Sequence, residues 1–375
     1  MSSKKIIFLV NELGFFISHR LPIAVKLKEQ GATILILSDQ PKDNLISLKY
    51  LKILQENNIL FKSTKNSFFL IKNFIYFFQI FYYIIRFKPE IINLITIKPI
   101  IFGLIVSRLC NIKKIIISVS GMGFFFTGKN TLLKYSFTKI FNFIMKLFNN
   151  SNTIIIVQNN DDKKYFLKNK IISSDNIHLI PGSGVNLELY KNTSWKFAEK
   201  IVLFPARLLK DKGIFEFLNA AKLLKTKYPS WIFLLAGSLE SNNPSRIKYS
   251  YLKSWVDKGI VQWSGHINNM HSTYIKSSII CLPSYREGMP KSLQEAASAA
   301  RPVVTTNVAG CNEVIIDNFT GILVPPRNID LLVEAIEKLI LDEELCKKFG
   351  KNGRQLAIDK YDVNKIVKLN VGLYN

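Results

Sequence analysis

Short continuous apolar runs recur along the chain, and each leads through a Gly-, Pro- or Ser-containing turn into a segment with helical spacing of apolar positions. Residues 6–10, 32–38, 91–95, 114–119, 153–158 and 178–180 read as strands, with helices over 18–30, 101–109 and from Asn159 onward between them. Strands without polar alternation are buried on both faces, so the order predicts a parallel α/β sheet. Pro181-Gly182-Ser183-Gly184 is the clearest break in the pattern. The pattern then restarts: strands over 201–204, 231–236, 261–263, 278–282, 303–305 and 321–324 alternate with helices over 214–225, 246–258, 290–300, 331–341 and 343–360. Two similar α/β domains result, over residues 1–180 and 195–360, with a linker over 181–194 and a closing segment over 361–375. A chain of 375 residues is long enough to divide in this way.

Two stretches break the pattern by being too apolar. Residues 68–87 approach the ~20 apolar residues of a membrane span, but Lys72, Asn73, Gln79 and Arg86 interrupt them. Lys72, Gln79 and Arg86 are seven apart and share a helical face. A core helix, a helix lying in the membrane interface and a span are the three readings, in that order. Residues 131–150 repeat the theme with Lys134, Lys139 and Lys146 among large apolar residues. At the N-terminus, Asn11-Glu12 ends the apolar run too early for a signal peptide, so a first strand is expected and export is not.

Charge adds a preference for anionic partners. The net charge is +24, which suits a nucleotide or an acidic membrane surface. The basic residues are spread out and no nucleic-acid module is visible, so nucleic acid is not expected. Cys110, Cys281, Cys311 and Cys346 stand far apart, and the four histidines lack ligand spacing, so neither disulfides nor a metal site is expected.

The chemistry concentrates in the second half. Glu287 falls in the loop after the strand at 278–282, and Glu295 in the helix that follows. The carboxyl ends of parallel strands are where ligands bind, and the backbone around Gly288 and Met289 turns the positive end of that helix toward an anion. Upstream, Arg207 and Lys212 flank a loop between a strand and a helix. Arg through its planar fork and Lys as a point charge can clamp a diphosphate there.

The stretch PSYREGMPKSLQEA, with Glu287 and Glu295 eight positions apart, resembles the signature of the family 4 retaining glycosyltransferases, which have the GT-B fold of two Rossmann-like parallel-sheet domains facing across a cleft. FFISHRLPIAVKLKEQG, SVSGMGFFFTG, QNNDD, IPGSGVNLELY, ARLLKDKGIFEFLNAAKLL and VAGCNEVI extend the resemblance over nearly the whole chain, in the order of one subgroup. That subgroup moves N-acetylhexosamines from UDP-sugars to polyprenyl-diphosphate-linked glycans in surface polysaccharide assembly. The resemblance implies that Glu287 contacts donor-sugar hydroxyls and Glu295 the ribose. It gives Arg207 and Lys212 the diphosphate, assisted by Gly288 and Met289, and sets Gly265-His266-Ile267 against the base. Gly14, in the first loop, is also assigned to the donor. The closing helices are expected to cross back to the first domain, and the protein to work in the cytoplasm, peripheral on the inner membrane face.

No Asp-x-Asp motif is present, so Arg207 and Lys212 are expected to replace a divalent metal, and no cofactor is expected beyond the UDP-sugar substrate. Many family members carry a His after the first-domain strand that faces the donor. Here that region reads Ser118-Val119-Ser120-Gly121-Met122-Gly123, which leaves open which residue meets the sugar. Ser120 and Gly121 are candidates on the acceptor side. His19 could serve there or could pack its helix, and Lys98 is the candidate for the acceptor diphosphate. A polybasic membrane or nucleic-acid binder without activity, and an epimerase or phosphorylase on the same fold, are the rival readings.

Overall fold

The computed structural model describes residues 3–41, 43–64, 70–122, 132–191, 193, 199–240, 243–267 and 269–375. Gly123, the FFFTG run after it, Trp195 and the side chain of Lys72 lie outside the described residues. The chain divides into two compact units: one runs to Ser183 and takes back Ile366–Asn375, and the other is built from Gly184–Lys365.

In the first unit, seven parallel strands β1 (Lys5–Glu12), β2 (Thr33–Asp39), β3 (Leu60–Ser63), β4 (Ile91–Ile95), β5 (Lys114–Ser118), β6 (Thr153–Val157) and β7 (Ile177–Leu179) lie in the order β3-β2-β1-β4-β5-β6-β7. The apolar run of β1 serves both faces of this sheet. Ile7 and Leu9 join the core on one side, Ile6, Phe8 and Val10 the core on the other, as the two-residue period of a strand requires. Helices α1 (Leu13–His19), α2 (Leu21–Glu29) and α3 (Asn44–Glu56) cover the Phe8 side; α4 (Leu70–Phe87), α5 (Ile97–Leu109), α6 (Leu132–Phe148) and α7 (Asn160–Lys168) cover the other.

The single helix expected over 18–30 is two. Arg20 interrupts it at φ −127°, and Pro22 follows near the start of α2, because a proline inside a helix removes a backbone bond. The α3–β3 pair was not expected at all. α3 buries only Leu54, so its sequence lacks the apolar stripe by which a helix is recognised.

The second unit has six parallel strands: β8 (Ile201–Phe204), β9 (Ile232–Leu235), β10 (Gln262–Trp263), β11 (Ile279–Leu282), β12 (Val303–Thr306) and β13 (Gly321–Val324), in the order β10-β9-β8-β11-β12-β13. Its helices are α8 (Ile214–Lys227), α9 (Tyr249–Asp257), α10 (Met270–Lys276), α11 (Lys291–Ser298), α12 (Cys311–Val314), α13 (Ile329–Leu341) and α14 (Glu343–Lys360). Pro290 stands just before α11 in extended backbone, not at its first helical position. β8 and β11 are neighbours from the two halves of this order. Their carboxyl ends flank the point where the winding direction reverses, the place where open α/β sheets bind ligands.

Chain continuity returns at the end. Helix α15 (Val363–Gly372) leads Tyr374 into the first unit, where the ring stacks on Phe8 with 5.9 Å between centroids. Lys4 Nζ donates to Tyr374 O at 3.0 Å, and Asn93 donates to the Tyr374 hydroxyl.

Candidate functional site

The loop after β8 and the loop after β11 touch backbone to backbone. Lys210–Lys212 form one 3₁₀ turn that closes on Gly213 in the left-handed region, φ +74°. A Cβ on Gly213 would lie 2.0 Å from Pro283 O, so only glycine permits the approach. Tyr285 N donates to Asp211 O at 2.9 Å. From the other side Glu287 N donates to Ala309 O at 3.0 Å, and Gly310, φ +83°, leaves no room for a Cβ beside the carbonyls of Glu287 and Gly288.

This framework brings Lys212 and Glu287 together. Lys212 Nζ stands 2.5 Å from Glu287 Oε1, with 19% and 11% of the two side chains exposed. Ser284 Oγ donates to the same oxygen at 2.7 Å. Oε1 is thereby saturated, and Oε2 has no donor among the described residues. A carboxylate fixed by one oxygen and offering the other suits an acceptor for a ligand hydroxyl. The ammonium beside it uses one of its three donors on Glu287. Beneath them the Cys311 thiol is pushed up to about 12, by burial first and then by the Glu287 charge, so it is no nucleophile.

Arg207 is placed differently. Its side chain is half exposed and Nη1 is 3.8 Å from Glu240 Oε1, a contact worth little in water that leaves the guanidinium able to turn to an anion. Gly288 and Met289 continue from Glu287 toward α11. On α11, Glu295 is bonded by the buried Tyr274 hydroxyl, while Lys291 Nζ lies 4.0 Å away. Burial raises the Glu295 carboxyl above the ordinary range, against the pull of Lys291 and Tyr274. Gly265 takes φ +68°; His266 is exposed and Ile267 half-buried.

Sequence reasoning missed the residues that hold this site. Ser284 lies inside the signature, and its hydroxyl could have been read as a partner for Glu287 three positions on. Tyr285 donates to Glu216 Oε1 at 2.7 Å and carries the Arg327 guanidinium over its ring at 4.5 Å. Glu216 sits on α8, far off in sequence, so no local spacing announces it. Tyr274 is equally silent.

Two family models match, one described as glycosyl transferases group 1 over residues 188–356 and one as glycosyl transferase 4-like over residues 5–159. Between them they span both units. The chain belongs to the group 1, family 4-like glycosyltransferases.

This transferase is 28% identical to the N,N'-diacetylbacillosaminyl-diphospho-undecaprenol α-1,3-N-acetylgalactosaminyltransferase of Campylobacter jejuni, over 98% of this chain and 97% of that one. It is 26% identical to the UDP-Gal:α-D-GlcNAc-diphosphoundecaprenol α-1,3-galactosyltransferase of Escherichia coli, over 76% and 75%. Among solved structures it resembles a Rickettsia africae glycosyltransferase (TM-score 0.76, 22% identity, covering 100% of this chain and 98% of that one). Anabaena HepE in complex with UDP and glucose is similar too (TM-score 0.77, 15% identity, 98% of each chain). The fold is GT-B, and the rival binder and epimerase readings give way to a transferase.

In the first unit of the transferase the expected residues follow the carboxyl ends of adjacent strands: Gly14 and His19 after β1, Lys98 after β4, Ser120 and Gly121 after β5. Gly14 is in helix α1, not in a loop, because α1 starts directly after β1; a Cβ there would meet the Tyr50 ring at 3.2 Å. His19 ends α1 with its ring stacked on Phe15 at 4.3 Å and its Nδ1 2.6 Å from Ser18 Oγ, a placement that serves the helix. Ser120 has a buried hydroxyl without a partner among the described residues, and Gly121 takes φ +117°. Lys98, in the first turn of α5, stands 5.2 Å over the Tyr76 ring. Burial lowers its pKa and Asp39 opposes that. Just before it, Thr96 holds φ +71°, a strained conformation for a β-branched residue. Among the described residues no group of three or more His, Cys, Asp or Glu side chains could hold a metal ion, and no helix is long and apolar enough to cross a membrane.

Proposed function

We propose that this transferase moves an N-acetylhexosamine, with retention, from a UDP-sugar to a polyprenyl-diphosphate-linked glycan during surface polysaccharide or glycan assembly, at the inner face of the cell membrane. The observation that carries the reading is the Lys212–Glu287 pair between the carboxyl ends of β8 and β11. The two relatives named for diphospho-undecaprenol substrates support the acceptor class. The E. coli relative supports a UDP donor and the Campylobacter relative an N-acetylhexosamine.

Cleavage of the sugar–phosphate bond leaves its electron pair on the departing UDP oxygen and gives the anomeric carbon oxocarbenium character. Lys212 and Arg207 stabilise the growing phosphate charge, which is larger in the transition state than before it. They do so in place of a metal. Glu287 Oε2 accepts a sugar hydroxyl and aligns the ring, and Glu295 accepts the ribose hydroxyls. The acceptor hydroxyl attacks from the face the phosphate leaves, and its proton passes to the departing oxygen.

Thermal unfolding with UDP, GDP, ADP and NAD tests the donor. At about 100 times its Kd a ligand stabilises the folded state by about 2.7 kcal/mol, so UDP alone should raise the Tm. A rise with GDP or ADP instead discards the UDP donor, and an inverted anomer in the product by NMR discards same-face transfer.

A further inference from the structure

Helices α4 and α6 flank α5 on one face of the first sheet and bury one side each: Tyr76, Ile80 and Ile84 on α4, Phe141 and Met145 on α6. Their outer sides are not polar. Phe78, Tyr82 and Ile85 on α4, and Ile140, Phe143 and Leu147 on α6, each keep half or more of their surface in solvent. Isolated exposed apolar residues mean little, but a set of them along one helix side marks an interaction surface, and the helices on both sides of α5 each carry such a set. The charge on this surface has one sign. Neither helix contains an acidic residue; Arg86 and the following Lys88 are exposed at the end of α4, and Lys139 and Lys146 lie among the exposed apolar side chains of α6. The Lys139 ammonium rests over the Tyr135 ring at 4.6 Å. Phe78, Phe81, Tyr82, Ile85, Arg86 and Lys88 line an open groove along α4.

We infer that this α4–α6 face is a docking surface for an anionic lipid bilayer. Aromatic and aliphatic side chains enter the headgroup–acyl boundary while Arg86, Lys88, Lys139 and Lys146 meet lipid phosphates. A second copy of the chain fits less well, since a self-complementary contact would set these cations against their own kind. The basic residues at the edge of α4 and along α6 thus have one task, and the apolar residues between them another. The surface would bring the transferase to its lipid-linked acceptor, so it rests on the proposed function, but it can be measured without any transfer.

The test is co-sedimentation of the full chain with vesicles of phosphatidylglycerol and phosphatidylcholine in equal parts, and with phosphatidylcholine alone. Binding is expected to the first only, and to fall at about 1 M salt, where the screening length is about 3 Å. The double variants Phe78→Ser with Phe143→Ser, and Lys139→Glu with Lys146→Glu, should each weaken vesicle binding at least about tenfold. Both should keep the wild-type Tm, because the residues are exposed. Both should also keep wild-type transfer to a short-chain, water-soluble prenyl-diphosphate sugar. Absence of vesicle binding, unchanged binding in both variants, or a solution dimer abolished by them would overturn the inference. Vesicle binding without transfer to any acceptor supports the surface and overturns the function proposed above.

Discussion

Glu287 and Lys212 do two jobs with one contact, and a variant separates them. In Glu287→Gln the amide oxygen can still accept from Ser284 and Lys212, so the fold should hold while the charge is lost. We expect kcat to fall about 10²-fold or more with little change in Tm, a loss of the size seen when one transition-state contact is removed. Lys212→Met leaves Glu287 with a single donor in a mostly buried place, and should cost about 1–3 kcal/mol in denaturant unfolding as well as activity. Glu295 carries the pH dependence. Its carboxyl is raised in the folded state, so the folded protein holds this proton more tightly than the unfolded chain. That contribution is fully present below the ordinary glutamate pKa of ~4.3 and is lost as pH rises through the higher folded value. Glu295→Gln should therefore gain stability relative to the parent as pH climbs from ~4 through that window. A difference that stays flat would show that Glu295 is not desolvated. The glutamates were legible because they sit within one signature, and Lys212 because it closes a basic strand-to-helix loop upstream; Glu216 and Tyr274 were not, because their partners come from other elements.

At the scale of elements the strands were the most readable part, since continuous Ile, Leu and Val runs leave few alternatives. The boundary errors have physical causes: Arg20 splitting α1 from α2, and a poorly striped α3. The close approach of the two site loops was not readable, because it depends on glycines whose neighbours come from distant strands. Gly310→Ala tests that approach. The residue must keep φ +83° with its new methyl about 2.6 Å from two carbonyl oxygens. Strain of about 1–3 kcal/mol at such a backbone, together with the steric shift, should lower the Tm and move Glu287 away from Ala309. The expected signature is a fall in kcat together with a lower Tm, where Glu287→Gln lowers kcat alone. A Gly310→Ala protein with parental kcat and Tm would show that the loop can relax without consequence.

For the whole molecule, the repeat of the strand–helix pattern on either side of residues 181–184 announced two units, and the division falls at Ser183/Gly184. The return of the closing segment to the first unit came from the resemblance and not from the pattern, and Ile366–Asn375 do complete that unit. Tyr374 is fully buried and lies against Phe8, with Ile366 and Val371 in the same core. Tyr374→Ala should cost about 3–5 kcal/mol, as for other buried aromatics cut back to alanine, and the loss should appear in the first unit's hydrogen exchange before the second's. Exchange protection lost equally throughout would mean that the units unfold as one.

That closing segment also sets a timetable. A ribosome that has just added Ser183 has made all seven strands of the first sheet, yet Tyr374, which stacks on Phe8, and the α15 residues beside it are added roughly 180 positions later. At ~5–20 residues per second, roughly 10–40 s pass before Ile366–Asn375 emerge. For that interval the part of the Phe8 face that Ile366, Val371 and Tyr374 cover stays open beside α1–α3, so the yield in the cell depends on how well that part is shielded during synthesis.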